Sequence, residues 1–262
     1  MRILLSLVLT LSVISVFAQH NGLIAYYPFE GNGNDLSGNG NDGVAFGDLK
    51  YENGIVGKAA AFDGKTTFFE ILPKEKLPAL GDFTITTWVL LKDYPMDNAD
   101  HRGYIRSYLF NGHAGHRLSR EYYKQGFSML LDYTAAGKEE FHNLVFPFSG
   151  SGRGMAEQSI ACQVKGFWRC VTFVRSGQEI TTYVDGEKLK NAFVSFNRYV
   201  SDRPLNMNHH WYIGTYSGNN QNYYREKSKM TYNFKGLLDE MRIFNRALTA
   251  DEVRSLCNIY AR

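Results

Sequence analysis

The sequence predicts an all-β protein, a sandwich or barrel of antiparallel strands that ends in one short helix. Short runs of alternating apolar and polar residues recur along the chain, and turn pairs such as Asp63-Gly64 and Asp185-Gly186 separate them. Aromatic residues, which favour strands, make up 15% of the chain. Strong helix signals occur in one place, near the C-terminus. Together these observations favour a single core built from sheets.

The first residues are typical of a secretory signal peptide. Arg2 supplies a positive charge, residues 3–17 form a short apolar run, and Val16 and Ala18 stand at the two key positions before a cut. A membrane anchor is the competing interpretation, but the run is short for a spanning helix and lacks a basic stop after it. We predict a signal peptide over residues 1–18 and a single secreted or periplasmic domain over residues 19–262.

Charge and composition limit the classes of partner. Removal of Arg2 lowers the formal net charge from +3 to +2, because residues 1–18 contain no other charged side chain. A nearly neutral chain gives no reason to expect a nucleic acid or, after signal cleavage, a membrane as partner. The length suits one large β-sandwich, and no linker or internal repeat divides it.

The strands follow one another from the N-terminus with turns between them. In residues 82–91, for example, alternation places Phe83, Ile85, Thr87 and Val89 on one face and Thr84, Thr86, Trp88 and Leu90 on the other. Two stretches, 92–125 and 196–229, break this rhythm with long loops around single short runs, and such loops are often functional. The predicted strands cover residues 21–29, 58–62, 67–72, 82–91, 104–110, 126–133, 140–146, 158–164, 168–175, 179–184, 188–195, 210–216 and 236–248.

The C-terminal helix has a clear start signal. Thr249 and Glu252 have the spacing of a capping box, in which each side chain bonds the backbone N–H of the other residue. We expect a short helix from there to about Cys257, with Val253 and Leu256 facing the sandwich.

Residues 30–43, which follow the first predicted strand, form a loop rich in oxygen ligands. The segment holds five Gly and four Asn among fourteen residues, with three acids. Carboxylates, amides and free carbonyls are the ligands that Ca²⁺ prefers, although the EF-hand spacing is absent. A metal-free loop built from Asx turns remains the alternative.

The last predicted strand carries an acid on an apolar face. Strict alternation would place Asp239 beside Leu237, Met241 and Ile243. A free carboxylate is costly on such a face, so Asp239 should have a partner. A metal ion, an arginine and a set of backbone N–H groups all remain possible.

Three cysteines remain after signal cleavage, and export would permit a disulfide. Cys162 and Cys170 flank a turn at Lys165-Gly166, so they can face each other across a hairpin. We therefore predict a Cys162–Cys170 disulfide, with Cys257 unpaired, although spacing alone does not fix the pairing.

Sequence motifs for catalysis are weak. A retaining glycosidase needs two facing carboxylates, but Glu139 and Glu140 point to opposite faces. Asp93, Asp97 and Asp100 lie in a loop without strand register, and no G-x-S-x-G or HExxH motif is present. The histidines of the first long loop have no spacing typical of a metal site, so we interpret them as solvated.

Tyrosines in the long loops suggest a binding surface instead. They interleave with Asn, Gln, Arg and Lys, and sugars bind by stacking on aromatic rings while polar groups bond their hydroxyls. The alternative is that these rings pack the loops onto the sandwich. The candidate ligand-binding residues are Tyr122, Tyr123, Tyr216, Tyr223 and Tyr224.

Several motifs occur in a recognisable order, and the chain resembles the laminin-G-like jelly-roll domains of the concanavalin A-like lectin/glucanase superfamily. The resemblance covers nearly the whole chain after the predicted signal peptide. Its motifs are LIAYYPF at 23–29, NDLSGNGNDG at 34–43, AAAFDG at 59–64, FTITTWV at 83–89, Trp168, YVDG at 183–186, YIG at 212–214 and GLLDEMRIFNRAL at 236–248.

The resemblance implies a two-sheet antiparallel β-sandwich, a jelly roll, in which the first and last strands lie together. It also implies a structural Ca²⁺ near those strands. Asp35 and Asp239 match the acidic positions of the family, and Asn41 is their neighbour.

The expected function is a secreted, non-catalytic module that binds an extracellular glycan or protein, with carbohydrate as the leading ligand. An alternative is a polysaccharide-acting enzyme, either a glycoside hydrolase or a lyase, that uses the long loops. A second alternative is an adhesion or structural domain with a protein partner.

Overall fold

The computed structural model describes ten segments of the chain: residues 21–73, 80–94, 104–112, 126–134, 142–149, 156–177, 179–189, 193–196, 207–216 and 232–258. The predicted signal peptide lies outside these residues, as do large parts of the two long loops. No helix within the described segments is long and apolar enough to cross a membrane.

The described chain is built from strands and one helix, which confirms the predicted fold class. The helix, α1, covers Ala250–Asn258. The strands are β1 Leu23–Tyr27, β2 Gly43–Phe46, β3 Lys50–Asn53, β4 Lys58–Asp63, β5 Phe68–Ile71, β6 Phe83–Leu91, β7 Tyr104–Asn111, β8 Gly126–Thr134, β9 His142–Ser149, β10 Ala156–Cys162, β11 Arg169–Ser176, β12 Glu179–Val184, β13 Glu187–Lys188, β14 Phe193–Phe196, β15 Trp211–Ile213 and β16 Lys235–Phe244.

The strands form two antiparallel sheets. Sheet I has the order β13-β12-β11-β6-β16-β4-β3, and β1 also pairs with β16. Sheet II has the order β14-β10-β9-β8-β7-β15-β5-β2. The sequence did not predict β2 and β3, because β2 is an exposed edge strand and β3 carries mostly polar residues. Neither strand shows the one-sided apolar alternation on which the prediction depends.

Strand β16 occupies the middle of sheet I and changes partner along its length. Its first residues pair with β4, and Met241 to Phe244 pair with β1. The pairing of the first and last strands, implied by the resemblance, is therefore confirmed. At the change of partner the register with β6 shifts between Asp239 and Arg242, and Glu240 has a φ of 53°. This β-bulge interrupts the alternation of the strand.

The bulge overturns the strict alternation expected for this strand. Leu238, Met241 and Ile243 all lie in the main core, whereas alternation would have put Leu238 on the opposite face. One extra residue on the bulged strand reverses the facing of every side chain beyond it. Asp239 therefore does not share the face of Met241 and Ile243, although it is fully buried.

The main core fills the space between the two sheets. Phe83 of sheet I stacks on Phe127 of sheet II, with ring centroids 4.3 Å apart. In β8 the residues Phe127, Met129 and Leu131 enter this core, so Ser128, Leu130 and Asp132 belong to the outer face of sheet II. Burial of these aromatic and aliphatic side chains is the main favourable term in folding.

A two-residue turn joins β12 to β13, as the Asp-Gly signal predicts. Asp185 and Gly186 have φ angles of 52° and 82°, and Val184 pairs with Glu187. Positive φ at both central positions is the geometry of a type I′ hairpin, which Asp and Gly tolerate best.

The disulfide prediction for Cys162 and Cys170 is wrong, because Cys170 pairs with Cys257. Cys162 ends β10 in sheet II, whereas Cys170 lies in β11 of sheet I. Residues between them cross from one sheet to the other, and Lys165 forms a parallel bridge with Leu91, so no hairpin forms. The cysteine that sequence reasoning left unpaired is the partner.

Candidate functional site

Asp35 organises the loop that follows β1. Its Oδ1 accepts hydrogen bonds from the backbone N–H groups of Tyr26 and Ser37, at 2.9 and 2.8 Å. Its Oδ2 accepts from the Ser37 hydroxyl at 2.8 Å and from the Asn41 N–H at 2.9 Å. Four donors therefore hold both carboxylate oxygens, and the loop returns on itself around them.

Asn41 also binds inside this loop. Its Nδ2 donates to the Ile24 carbonyl at 2.8 Å, and its own carbonyl accepts from the buried Tyr27 hydroxyl at 2.7 Å. The structure thus brings Asp35 and Asn41 together, as the resemblance implies. Their contacts are those of an Asx-turn loop that fixes its own backbone.

Asp239 lies at the bulge of β16 and contacts the turn between β3 and β4. Its Oδ2 accepts from the N–H groups of Ile55 and Val56, at 2.9 and 3.1 Å. A Cβ on Gly54 would stand 2.4 Å from the same oxygen, so only glycine permits this approach. Backbone N–H groups, one of the three kinds of partner that the sequence left open, therefore bind this oxygen.

One oxygen of Asp239 is left over. Its Oδ1 is buried and has no hydrogen-bond partner among the described residues. Burial raises the pKa of this carboxyl to about 7, and the nearby Glu240 raises it further, while the Ile55 and Val56 N–H groups oppose the rise. Such a group takes up either a proton or a cation at neutral pH.

A second carboxylate touches the same turn from its other end. Glu30 accepts from the Lys58 N–H at 3.1 Å, and a Cβ on Gly57 would meet its carboxylate at 2.1 Å. Asp35 and Asp239 share no hydrogen-bond partner in the described chain, and no group of three His, Cys, Asp or Glu side chains with metal-binding geometry occurs there. Asp239 is the predicted ligand that retains a buried acceptor.

The outer face of sheet I is covered by α1. Val253, Leu256 and Cys257 of the helix pack with Trp88 and Cys170 in a second apolar cluster. The capping-box prediction is confirmed, since Glu252 accepts from the Thr249 N–H at 2.8 Å and the Thr249 hydroxyl accepts from the Glu252 N–H at 3.3 Å. These residues of the outer face are therefore buried under the helix as part of the folded structure.

The outer face of sheet II carries a row of side chains across five strands, and all of them except Val44 are polar or aromatic. Pairing aligns Val44 of β2 with Glu70 of β5, Glu70 with Tyr212 of β15, and Tyr212 with Asn111 of β7. The next position in the row is Ser128 of β8, whose hydroxyl donates to Asn111 Oδ1. Alternate residues of these strands enter the core, so the row faces outward.

Glu70 is the centre of a small hydrogen-bonded group in this row. Its Oε1 accepts from the Tyr212 hydroxyl at 3.0 Å and lies 2.6 Å from His210 Nδ1. Half of the His210 side chain and 26% of the Glu70 side chain remain exposed. The group presents one carboxylate, one imidazole and one phenol to the outside.

Two phenylalanines stand beside this group at the edge of the sheet. Phe46 of β2 pairs directly with Phe68 of β5, and their rings are stacked with centroids 4.7 Å apart and planes 3° apart. Phe46 is 39% exposed. Sequence reasoning missed both rings, although the outward Phe68 and Glu70 follow from the alternation of the predicted strand at 67–72.

Tyr216 belongs to a separate tyrosine cluster on the same face. Its ring meets Tyr108 at 5.0 Å and Tyr232 at 6.0 Å, both edge to face, and Leu130 packs beneath them. Asn111 Nδ2 donates to the Tyr216 carbonyl, which joins the cluster to the polar row. The other predicted binding residues, Tyr122, Tyr123, Tyr223 and Tyr224, lie outside the described residues.

Asp93, one of the loop acids considered for a catalytic role, forms ion pairs with two lysines. Asp93 pairs with Lys235 at 3.2 Å and with Lys165 at 3.3 Å on the surface. Asp97, Asp100, Glu139 and Glu140 lie outside the described residues. The chemistry offered by the outer face of sheet II is thus aromatic stacking and hydrogen bonding around one carboxylate.

A protein-family comparison gives a match to a model described as the concanavalin A-like lectin/glucanases superfamily, over residues 63–254. A search of curated proteins gave no match.

Solved structures share the fold. Domain 4 of AbnA, a GH43 extracellular arabinanase from Geobacillus stearothermophilus in complex with arabinotriose, is 20% identical, with a TM-score of 0.57 over 90% of this chain and 98% of that one. The binding domain of Paraclostridial Mosquitocidal Protein 1 is 19% identical, with a TM-score of 0.62 over 91% of this chain and 52% of that one. The receptor binding domain of botulinum neurotoxin D is 11% identical, with a TM-score of 0.61 over 91% of this chain and 53% of that one. The chain thus spans about half the length of these toxin domains.

Proposed function

The chain belongs to the concanavalin A-like lectin/glucanase superfamily, and we propose that it is a secreted, non-catalytic module that binds extracellular carbohydrate. The observation that carries the proposal is the asymmetry of the sandwich. The outer face of sheet I is covered by α1, whereas the outer face of sheet II displays aromatic rings, a carboxylate and an imidazole.

The exposed groups match what sugar recognition requires. Pyranose and furanose rings have an apolar face that stacks on aromatic side chains, and their hydroxyls need donors and acceptors at fixed positions. Phe46 and Phe68 supply rings, while Glu70 and His210 supply polar atoms that contact each other at 2.6 Å. A rigid sheet places these groups before the ligand arrives, which reduces the entropic cost of binding.

Similar folds in carbohydrate complexes support the proposal. The arabinanase domain is described in complex with arabinotriose, and a botulinum neurotoxin type C structure is described through its interaction with two ganglioside molecules. Both are less than 25% identical to this chain, so they contribute a precedent for this fold and no ligand identity.

Secretion forms part of the proposal and rests on the signal-like residues 1–18. The Cys170–Cys257 bond supports it, because disulfides persist in oxidising compartments. Expression of the full chain with its native leader should yield an exported protein that begins near Gln19, as read by N-terminal sequencing. Retention of Met1 in a membrane fraction would contradict secretion.

We propose a structural Ca²⁺ with Asp239 as its protein ligand. The support is the unpartnered, buried Oδ1 of this residue, since a hard cation would satisfy an oxygen that otherwise loses its hydration. Asp35 and Asn41 fit less well, because four donors already hold the Asp35 carboxylate. A bound ion would supply a positive charge that offsets the buried negative charge of Asp239.

The test of function is binding without turnover. Purified mature protein would be applied to a glycan array, with Ca²⁺ and with EDTA, and every bound glycan would then be incubated with it and analysed for products. Binding with an unchanged glycan supports the module. Released oligosaccharides would establish an enzyme, and binding to no glycan would favour a protein partner; either result contradicts the proposal.

A further inference from the structure

We propose that five side chains on the outer face of sheet II form a subsite for uncharged sugar units of a glycan chain. This edge cluster consists of Phe46, Phe68, Glu70, His210 and Tyr212. The inference rests on the proposed carbohydrate-binding function and goes beyond it, because it names the subsite and the class of sugar.

The two phenylalanines form a stacked aromatic pair. Phe46 and Phe68 are directly opposite on neighbouring strands, and their rings are parallel within 3° with centroids 4.7 Å apart, so each ring covers part of one face of the other. Phe46 is 39% exposed although burial of its ring would be favourable, and exposed Val44 lies on the same edge strand. An exposed apolar patch rimmed by polar groups marks a place where a ligand covers it.

The polar groups stand next to this aromatic pair in a fixed arrangement. Glu70 is two residues from Phe68 on the same strand, so both project from the same face about 7 Å apart. Tyr212 is paired with Glu70, and its ring lies 6.4 Å from Phe68. A sugar whose apolar face packs against the phenylalanine pair would therefore place its hydroxyls within reach of Glu70.

Glu70 keeps one oxygen for a ligand. Its contacts to Tyr212 and His210 both go to Oε1, and within the described residues Oε2 has no partner. These two contacts hold the carboxylate in place and leave Oε2 able to accept a hydrogen bond from a sugar hydroxyl. Bonds to a charged acceptor are about twice as strong as bonds between neutral groups.

The charge of the edge cluster selects against acidic sugars. In the described chain, His210 is the only ionic partner of Glu70, and neither Lys nor Arg is paired with it. A uronate or sialate packed against the phenylalanine pair would bring a second carboxylate close to Glu70, and like charges at short range repel. Neutral sugars carry donors instead, which the free Oε2 can accept.

Binding would be measured by affinity electrophoresis and calorimetry on soluble polysaccharides. The neutral probes are arabinan, arabinoxylan, mixed-linkage β-glucan and galactomannan, and the acidic probes are polygalacturonate and alginate. The variants are Phe68→Ala, Glu70→Gln and Tyr212→Phe, with Phe167→Ala as a control, since Phe167 is 53% exposed outside the edge cluster. Thermal melts check that each variant is folded.

We expect the wild type to bind a neutral probe and no acidic probe. Phe68→Ala and Glu70→Gln should each weaken binding about tenfold, and Phe167→Ala should leave it unchanged. Should Phe68→Ala fail to fold, the isosteric changes Glu70→Gln and Tyr212→Phe still test whether the edge cluster binds the glycan.

The outcomes separate the two proposals. Neutral glycan binding that survives all edge-cluster changes overturns this subsite and leaves the proposed function intact. Acidic polymers bound as tightly as neutral ones overturn the class of sugar. Binding to no polysaccharide and to no arrayed glycan overturns both.

Discussion

Cys170 in β11 and Cys257 in α1 form a disulfide that joins the C-terminal helix to the outer face of sheet I. The bond links residues 87 positions apart in the sequence. Closing a loop of that size restricts the unfolded chain strongly, so the bond should matter for stability and not only for the position of the helix.

Replacement of Cys257 by Ala should lower the free energy of unfolding by about 2–5 kcal/mol. Urea unfolding at pH 7 measures the change. Cys162→Ala is the matched control and should retain the disulfide in a peptide map. A map that instead joins Cys162 to Cys170 would contradict the pairing.

Glu252 should stabilise the helix start in a pH-dependent way. Hydrogen bonds from Arg246, followed by those from Thr249, lower the pKa of this carboxyl below its ordinary value. A lowered pKa means that the stabilisation is present above the unfolded-state pKa of about 4.3 and is lost as the pH falls below it. Glu252→Gln should cost about 1 kcal/mol at pH 7 and progressively less as the pH falls below the unfolded-state pKa and through the lower folded-state pKa.

The control for this change is Asp251→Asn, an exposed acid in the same first turn of α1 that pairs with Arg254. It should change stability at pH 7 by only a few tenths of a kcal/mol. Equal losses for the two variants would show that the capping box adds nothing beyond general charge at the helix start.

Asp239 should make the calcium-free protein more stable as the pH falls. Its folded-state pKa of about 7 lies above the ordinary value of about 3.9, so the folded state favours the protonated form. The buried charge therefore lowers the free energy of unfolding once the pH rises above the ordinary pKa of about 3.9. The loss grows until the pH reaches the folded-state pKa of about 7. In EDTA, wild type should gain about 2–3 kcal/mol between pH 8 and pH 5 relative to Asp239→Asn.

Calcium should reverse this disadvantage at pH 8. A bound ion adds RT ln(1 + [L]/Kd), about 2.7 kcal/mol at a hundredfold excess over Kd. Wild type and the control Asp48→Asn, whose side chain is exposed, should both melt at higher temperature with Ca²⁺ than with EDTA. Asp239→Asn should not. An unchanged wild-type melting temperature would remove the calcium proposal.

Asp35 should be important for stability whether or not calcium binds. Asp35→Ala leaves four donors without their acceptor: the backbone N–H groups of Tyr26, Ser37 and Asn41, and the Ser37 hydroxyl. We expect a loss of about 2–3 kcal/mol in urea unfolding. The calcium-induced rise in melting temperature should persist in this variant, and its disappearance would place Asp35 among the ligands.

Local sequence patterns were sufficient to predict the sandwich and its helix. Alternation in β6, the Asp185-Gly186 turn and the Thr249–Glu252 box each depend on neighbours within a few residues, and the structure confirms all three. The resemblance added the pairing of β1 with β16, which alternation alone does not give.

The partner of Asp239 and the pairing of Cys170 depended on tertiary structure. A bulge at Glu240 puts Met241 and Ile243 on the face opposite Asp239, which contacts the turn between β3 and β4, and the presence of a bulge is not visible in a strand that alternates well. The chain after Cys162 crosses to the other sheet, which brings Cys170 beside a helix 87 residues further on.

The sequence by itself determined most of the strand segments, where the helix begins and that one acid near the end of the chain needs a partner. Only the tertiary structure decided which side chains meet on the outer face of sheet II. Phe46, Phe68 and Tyr212 lie on three strands far apart in the sequence, and register between antiparallel strands brings them together. Local residue patterns set the conformation of each strand, but the register between strands follows from how the whole core packs.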